Sequence, residues 1–210
     1  DRQFVFPNHH NISESVKEQI RKALLERISL RGITRIFKIR LTWLLEFMIK
    51  VYEEVPQDLG MELKNILEDN MQVAVIQLDE AWSFIGKKAN KCWIWIAYEA
   101  STKQVVAFHI GDRTKQSAQA FYDKIPEPLK EKCQLIFTDN LKSYDKVIPE
   151  NKHHTGKKFN QNIERLFCTM RQRVSRVVRK SLSFSKKWEH HEMALRYFFW
   201  HYNFERNSLT

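Results

Sequence analysis

Residues 73–80 read VAVIQLDE, and residues 133–139 read CQLIFTD. Each stretch is a short apolar run with β-branched residues, and each finishes with an acidic side chain, Asp79 in the first and Asp139 in the second. Runs of this kind predict buried strands. Because two separate strands each deliver an aspartate at their carboxyl end, we predict that these side chains share one edge of a sheet.

The residues between these two runs predict the rest of the sheet. Residues 92–100 (CWIWIAYEA) and 104–110 (QVVAFHI) predict two more strands, in which Trp93 and Trp95 are most simply core residues. Helical spacing follows at 115–124, and a short helix or loop at 140–148. The order βββαβα indicates an α/β fold, a mixed sheet with helices packed on it, in which the first and fourth strands can be neighbours.

The amino-terminal part of the chain predicts three helices. Ser13 is a plausible cap for the first, SLRGITRIF at 29–37 forms the second, and LTWLLEFMIKVYEEV at 41–55 forms the third. This pattern fits a helix-turn-helix, although a plain bundle or a dimerisation arm would show the same spacing. Near the start of the candidate recognition helix, side chains would meet DNA: Arg35, Lys38, Arg40, Thr42 and Trp43. The apolar residues behind them are expected in the core: Leu44, Leu45, Phe47 and Met48.

Composition and charge narrow the class of partner. The 210 residues carry a formal net charge of +10, which favours polyanions, above all nucleic acid, because bound phosphates release counterions. No apolar run is long enough to span a bilayer, so no membrane is predicted. The cysteines Cys92, Cys133 and Cys168 are odd in number and lack paired spacing, which favours a reduced, cytoplasmic compartment.

One acidic residue stands alone in a basic segment. From residue 159 the pattern is helical, with an interruption at SLSFSK and a second helix from 186 to about Asn203. Glu164 is the only acid between Asn151 and Lys187. Its basic neighbours form either a solvated face or a track for DNA phosphates: Lys157, Lys158, Arg165, Arg171, Arg173, Arg176, Arg179 and Lys180. Glu164 could itself simply pair with Arg171 or Lys157.

Carboxylates in this arrangement suggest metal-dependent chemistry on phosphodiesters. Mg²⁺ and Mn²⁺ prefer oxygen ligands, and two ions about 3.5–4 Å apart can activate an attacking oxygen and stabilise a leaving one. A single strand-end aspartate more often caps a turn, so the prediction depends on the combination of acids. Glu80 is the nearest rival of Asp79, but strand alternation sends it to the opposite face.

Several motifs resemble one family of proteins, the transposases of IS1-family insertion sequences. The matching residues are Asp79-Glu80-x-Trp82 followed by Gly86, the strand CWIWIAYEA, the tetrapeptide GDRT at 111–114 and Thr138-Asp139. Further along come Ile163-Glu164-Arg165 and RKSLSFSK at 179–186, followed by Glu189 and His191. The resemblance extends from about Glu14 to His201.

This resemblance implies a ribonuclease-H-like DDE transposase in which Asp79, Asp139 and Glu164 are the catalytic triad and bind two Mg²⁺ or Mn²⁺ ions. Twenty-four residues separate Asp139 from Glu164, similar to the family's short second spacing. The family usually begins with a four-cysteine zinc ribbon, and residues 1–12 resemble only its end. No cysteine here has zinc-ligand spacing, so zinc is not predicted. His190 and His191, like His153 and His154, stay unassigned.

The predicted organisation is a remnant at 1–12, a helix-turn-helix domain at 13–56, a linker at 57–72 and a ribonuclease-H-like catalytic domain at 73–210. The expected function is cleavage of element ends and transfer of the 3′-hydroxyl strand to target DNA, by an enzyme associated with the bacterial nucleoid. Partners would be double-stranded terminal inverted repeats, target DNA and, by analogy, a second copy of the chain. Two alternatives are a domesticated DNA-binding protein that no longer cuts and a nuclease or resolvase without strand transfer.

Overall fold

A computed structural model describes residues 12–61, 67, 74–156, 161–177 and 183–208. Most of the predicted remnant and most of the predicted linker lie outside these residues. Lys157, Lys158, Arg179 and Lys180, which we predicted to contact DNA, also lie outside them.

A five-stranded mixed sheet organises the chain. Its strands are β1 (Val75–Phe84), β2 (Lys91–Glu99), β3 (Gln104–Gly111), β4 (Leu135–Thr138) and β5 (His153–Thr155). The strand order is β3-β2-β1-β4-β5. β1, β2 and β3 form an antiparallel meander, whereas β4 runs parallel to β1 and β5 runs parallel to β4. The predicted α/β fold with βββαβα order, and the pairing of the first and fourth strands, are therefore confirmed.

Helices cover both faces of this sheet, which explains why the central strands are apolar on both sides. On one face lie α4 (Lys115–Tyr122) and α5 (Glu127–Lys132), whose Phe121 and Leu129 join the core that includes Trp95. On the other face lie α6 (Gln161–Arg173) and α7 (Trp188–Asn207). A side chain on a central strand, including any carboxylate there, therefore points toward one of these two pairs of helices.

The three predicted amino-terminal helices are present as α1 (Glu14–Ala23), α2 (Leu30–Phe37) and α3 (Leu41–Glu53). Ser13 caps α1 by accepting a hydrogen bond from the backbone N–H of Val16 at 3.4 Å, and Ser29 caps α2 through Gly32 at 3.0 Å. Lys38 ends α2 with a φ of 52°, the left-handed conformation that turns the chain into α3.

Helix α3 packs against the carboxyl-terminal helix as well as against α1 and α2. Met48, Val51 and Tyr52 share a hydrophobic cluster with Ala194 and Tyr197 of α7. The amino-terminal helices and the sheet layer therefore have continuous buried contacts, and the division at residue 56 stays a prediction.

The structure differs from the sequence-based expectation at β1, which does not end at Asp79. The strand continues to Phe84 because its pairing with β2 extends from Ile76↔Glu99 to Phe84↔Lys91, across the polar residues that suggested an end. Two short elements were also missed. These are α5, which follows Pro126, and β5, whose three residues carry no apolar pattern.

Among the described residues, no helix combines the length and the apolar character needed to cross a membrane.

Candidate active site

The register of two parallel strands brings Asp79 beside Asp139. Val75 pairs with Leu135 and Gln77 pairs with Phe137. Continued by two residues on each strand, this register places the two aspartates opposite each other. Asp139 follows directly after the last residue of β4, where its carboxylate accepts a hydrogen bond from the backbone N–H of Leu141 at 2.9 Å. The two aspartates predicted from the sequence therefore converge.

Asp79, Glu80 and Asp139 each contribute a carboxylate oxygen to a group whose members lie within 4.8 Å of one another. Alternation does send Glu80 to the opposite face of β1, as expected, but it does not keep the Glu80 carboxylate away from Asp79 and Asp139. The backbones do alternate, since Asp79 pairs with Ile96 and Glu80 with Trp95, which belong to opposite layers of the core. Because β4 ends at Thr138, its pairing with β1 stops short of Glu80, so the longer side chain can reach the shared edge.

The three carboxylates make the site strongly unfavourable for negative charge. Burial raises the pKa of Asp79 to about 6, against the hydrogen bond from the Glu80 N–H at 2.7 Å, and the charges of Asp139 and Glu164 raise it further. Burial also raises the pKa of Glu80 to about 7, with Asp139 adding to the rise and Arg113 opposing it. A cation placed here would relieve this repulsion, and carboxylate oxygens are the donors that Mg²⁺ and Mn²⁺ prefer. The residues present therefore fit a hard divalent ion.

Glu164 lies in the first turn of α6 and is exposed. It is not a member of the group within 4.8 Å, although its charge contributes to the raised pKa of Asp79. The same helix inserts Ile163 and Leu166 into the core layer that lies on the Asp79 face of β1. The role of Glu164 as the third metal ligand stays a prediction.

Glu80 is buried within a set of polar and aromatic contacts that sequence reasoning missed. Its side chain is 1% exposed and forms an ion pair with Nη2 of Arg113. The Arg113 guanidinium stacks over the Trp93 ring, 4.3 Å from its centroid, and the Tyr144 hydroxyl lies 3.4 Å from Glu80 Oε2. The only sequence signal for this set was the tetrapeptide GDRT, which carried no assigned role.

The residues predicted to meet DNA in the amino-terminal helices lie around the turn between α2 and α3. Four of them are exposed: Arg35, Lys38, Arg40 and Thr42. Trp43 is partly buried and stacks on Phe47 with ring centroids 5.0 Å apart. Leu44 and Met48 are fully buried, as expected for the core side of α3.

The basic residues that follow Glu164 have different surroundings. Arg165 is exposed, and the Arg171 guanidinium lies 5.7 Å from the Phe167 ring centroid. Arg173 forms an ion pair with Glu205 at 3.0 Å and a longer one with Glu26 at 3.5 Å. Arg176, in a short 3₁₀ turn, donates to the Ser185 hydroxyl at 3.5 Å. Arg173 is therefore held by acids from two other elements, whereas Arg165 is exposed next to Glu164.

His191 is completely buried and connects three parts of the chain. Its Nε2 lies 3.2 Å from the Ser83 hydroxyl of β1, and its Nδ1 lies 3.0 Å from the Ser185 hydroxyl. Burial lowers the pKa of His191 to about 4, so the imidazole is neutral at physiological pH. His190 is only partly buried. The position of His191 indicates a structural hydrogen-bond bridge rather than a residue that contacts substrate.

Comparison with known proteins identifies the family of this chain. A family model described as IS1 transposase matches residues 72–205. The chain belongs to the IS1 transposase family. Membership in a family of transposases makes it a nucleic-acid-processing protein, and the region matched contains Asp79, Asp139 and Glu164.

Curated IS1 relatives support the same assignment. The chain is 37% identical to the insertion element iso-IS1n protein InsB of Shigella dysenteriae over 121 residues, which cover 58% of this chain and 90% of the relative. It is 32% identical to the insertion element IS1 protein InsB of Shigella sonnei over 127 residues, covering 60% of this chain and 94% of that protein.

Among solved structures, the HTLV-2 integrase catalytic core domain in complex with magnesium is similar at 19% identity and a TM-score of 0.36. That match covers 47% of the IS1-family chain and 67% of the integrase chain. A chain of the simian T-cell lymphotropic virus intasome in complex with the PP2A regulatory subunit B56 gamma matches at 10% identity and a TM-score of 0.42. It covers 86% of this chain and 64% of that one. At these TM-scores the likeness supports no inference beyond the topology described above.

Proposed function

We propose that this chain is a DNA transposase that cleaves the ends of an insertion element and transfers the freed 3′-hydroxyl strands to target DNA. The observation that carries the proposal is the juxtaposition of Asp79 and Asp139 on parallel strands, in a chain that belongs to a transposase family. Acids on neighbouring strands are held in fixed positions by the backbone, as a metal-dependent phosphoryl-transfer site requires.

The metal ligands in this proposal are Asp79, Asp139 and Glu164, holding two Mg²⁺ or Mn²⁺ ions. When bound, such ions stabilise charge on the oxygens that enter and leave the phosphorus. The chain's own task is to hold the carboxylates at one sheet edge, where the backbone N–H groups of Glu80 and Leu141 fix the two aspartates. The position of Glu164 on α6, packed over the same strand, supports its assignment as third ligand.

The DNA would contact two basic surfaces. One is the exposed turn between α2 and α3, with Arg35, Lys38, Arg40 and Thr42, which we assign to a helix-turn-helix. The other begins at Arg165 and Arg171, next to Glu164 on α6. Terminal inverted repeats and target DNA are the proposed double-stranded partners. Because two element ends must be brought together, we expect at least a dimer, acting on the nucleoid in the bacterial cytoplasm.

A matched pair of aspartate variants tests the function. Asp139→Asn should abolish Mn²⁺-dependent cleavage of a duplex that carries the element's terminal repeat, while leaving its binding to that duplex intact. Asp123→Asn is the control, because Asp123 is an exposed aspartate at the end of α4. Cleavage retained in Asp139→Asn would refute the proposed site.

Two outcomes would favour the alternative functions. Specific binding without cleavage in the unsubstituted protein would indicate a domesticated DNA-binding protein. Cleavage without joined product, in an assay that supplies target plasmid, would indicate a nuclease or resolvase. The juxtaposed carboxylates support the first function over a non-cutting protein, because a DNA-binding scaffold does not need clustered acids near its DNA.

A further inference from the structure

The turn that follows β3 is built rigidly around a single arginine. Asp112 accepts hydrogen bonds from the Thr114 and Ser117 side chains and from the Thr114 backbone N–H, and so closes the turn onto α4. The Asp112 carbonyl accepts a hydrogen bond from the Trp95 indole at 2.9 Å. A Cβ on Gly111, the last residue of β3, would lie 2.6 Å from the Ser117 hydroxyl, so a larger residue there would require this side chain to move. These contacts fix the backbone on both sides of Arg113.

The side chain of Arg113 is fixed as firmly as its backbone. Nη2 pairs with the buried Glu80 carboxylate, and the guanidinium carbon lies over the Trp93 ring. The Arg113 carbonyl also accepts a hydrogen bond from the Ser143 hydroxyl, in the turn that follows Asp139. From the segment after β3, the arginine therefore contacts strand β1, which holds Asp79 and Glu80, and the segment after β4, which holds Asp139.

This arrangement places the positive charge of Arg113 beside the acidic group while leaving the guanidinium accessible to solvent. The Glu80 carboxylate lies within 4.8 Å of the group formed with Asp79 and Asp139, and Arg113 pairs with that same carboxylate. The Arg113 side chain is 39% exposed, whereas the Glu80 side chain is 1% exposed. A guanidinium offers donors in a planar fork that matches a phosphate. A guanidinium that other contacts already hold in place loses little conformational entropy when it binds that phosphate.

We infer that Arg113 binds a phosphate of the DNA strand that is held at Asp79 and Asp139, and that Glu80 is its positioning residue rather than a metal ligand. This inference rests on the proposed function, because it assigns a DNA contact to the same site. Arg113 already contacts the Glu80 carboxylate, so a metal ion that used Glu80 would have to compete with the guanidinium for a buried group. The Trp93 ring under the guanidinium carbon adds a second contact that restricts the movement of the side chain.

The phosphate contact has a test that does not need catalysis. Binding of the whole protein to a plain DNA duplex is measured over a range of salt concentrations in Ca²⁺. Arg113→Gln should lower the slope of log affinity against log salt by about one, because one phosphate contact is lost. Arg196→Gln is the matched control, since it also removes an arginine from an ion pair, with Glu192 at 3.0 Å on α7. An unchanged slope in Arg113→Gln would overturn the inference.

Nicking of supercoiled plasmid DNA in Mn²⁺ then tests the positioning role. Arg113→Gln should slow nicking by about 100-fold, as expected when a preorganised donor to developing charge is removed. Arg113→Lys should recover only part of this, because a lysine keeps the charge but not the fork. If Glu80 acts only through Arg113, the double variant Glu80→Gln/Arg113→Gln should be no slower than Arg113→Gln alone. A further slowing in the double variant would contradict that role.

Direct Mn²⁺ binding separates a positioning residue from a ligand. Glu80→Gln should keep Mn²⁺ affinity within about twofold, whereas Asp139→Asn should lose at least about tenfold. An equal loss in both variants would make Glu80 a ligand and overturn the inference. If the unsubstituted protein binds DNA and Mn²⁺ but never nicks, the proposed function fails, while the salt slope and the Mn²⁺ affinities still decide the roles of Arg113 and Glu80. Urea unfolding of each variant checks that the fold is intact.

Discussion

Asp79 lies beside Asp139 because β1 and β4 run parallel, in a register that pairs Val75 with Leu135. Two carboxylates this close repel each other, so a divalent cation bound between them should stabilise the folded protein more than the unfolded chain. We expect Mn²⁺ to raise the melting temperature of the unsubstituted protein but to have little effect on Asp79→Asn. An equal rise in both proteins would place the ion elsewhere, and Asp123→Asn should behave like the unsubstituted protein.

Raised carboxyl pKa values predict a particular dependence of stability on pH. Burial raises the pKa of Asp79 to about 6, whereas an unfolded aspartate titrates near 4. Between these values the folded protein binds more protons than the unfolded chain, so the contribution of Asp79 to the metal-free unfolding free energy falls as pH rises. The contribution is fully present below about pH 4 and is lost above about pH 6.

The buried His191 has the opposite effect, because its pKa is lowered to about 4 and the unfolded chain binds more protons above that pH. The measurement is therefore the difference in urea-unfolding free energy between the unsubstituted protein and Asp79→Asn, in which the histidine contribution cancels. In chelator, the unfolding free energy of the unsubstituted protein should fall relative to that of Asp79→Asn as pH rises from about 4 to 6. A relative rise of the unsubstituted protein's unfolding free energy over this range would show that the fold stabilises the charged form of Asp79.

The DNA surface should divide into residues that bind phosphate and residues that hold the fold. Replacing Arg35 with Gln should lower the affinity for duplex DNA and reduce its salt dependence, because Arg35 is exposed beside the turn into α3. Arg173→Gln should instead lower the unfolding free energy with little effect on DNA affinity, since Arg173 already pairs with Glu205 and Glu26. Equal losses of DNA affinity in the two variants would contradict this division.

His191 should matter for stability. Replacing it with Leu removes the imidazole that lies between the buried Ser83 and Ser185 hydroxyls, and the loss of these buried hydrogen bonds should cost about 1–3 kcal/mol in total, since Ser185 keeps its contact with Arg176. Urea unfolding of His191→Leu measures this cost, and His190→Leu is the control because His190 is only partly buried. If the folded His191→Leu protein kept full stability but lost plasmid nicking, His191 would have a direct role in the chemistry.

The sheet and the two aspartates were predictable because their signals are local. Apolar runs with β-branched residues marked β1 to β4, and each aspartate followed such a run. The length of β1 was not predictable, because it depends on partners such as Lys91 in β2. The position of the Glu80 carboxylate was not predictable either, because strand alternation predicted only that Glu80 lies on the opposite face of β1 from Asp79. Its approach to Asp139 depends on where the neighbouring strand stops, and that is a property of the assembled sheet.

The contacts of individual arginines could not be predicted from the sequence either. A basic stripe after Glu164 gave no means of separating Arg173, which pairs with Glu205, from Arg165, which is exposed. The acids that occupy Arg173 come from α7 and from the turn after α1, both distant in the chain. Pairing between distant elements requires the tertiary fold, whereas charge composition requires only the residue list.

The chain order of the sheet also has a consequence for biosynthesis. The meander β1–β2–β3 joins neighbouring segments and can assemble early, but β4 must return past α4 and α5 to pair with β1, and such non-local pairing is slow. A ribosome-bound chain that has emerged only as far as β3 holds Asp79 without Asp139. We expect such a chain to bind no divalent ion at this edge, so on the proposed function DNA cleavage must wait until the segment after β4 has been made and has paired with β1.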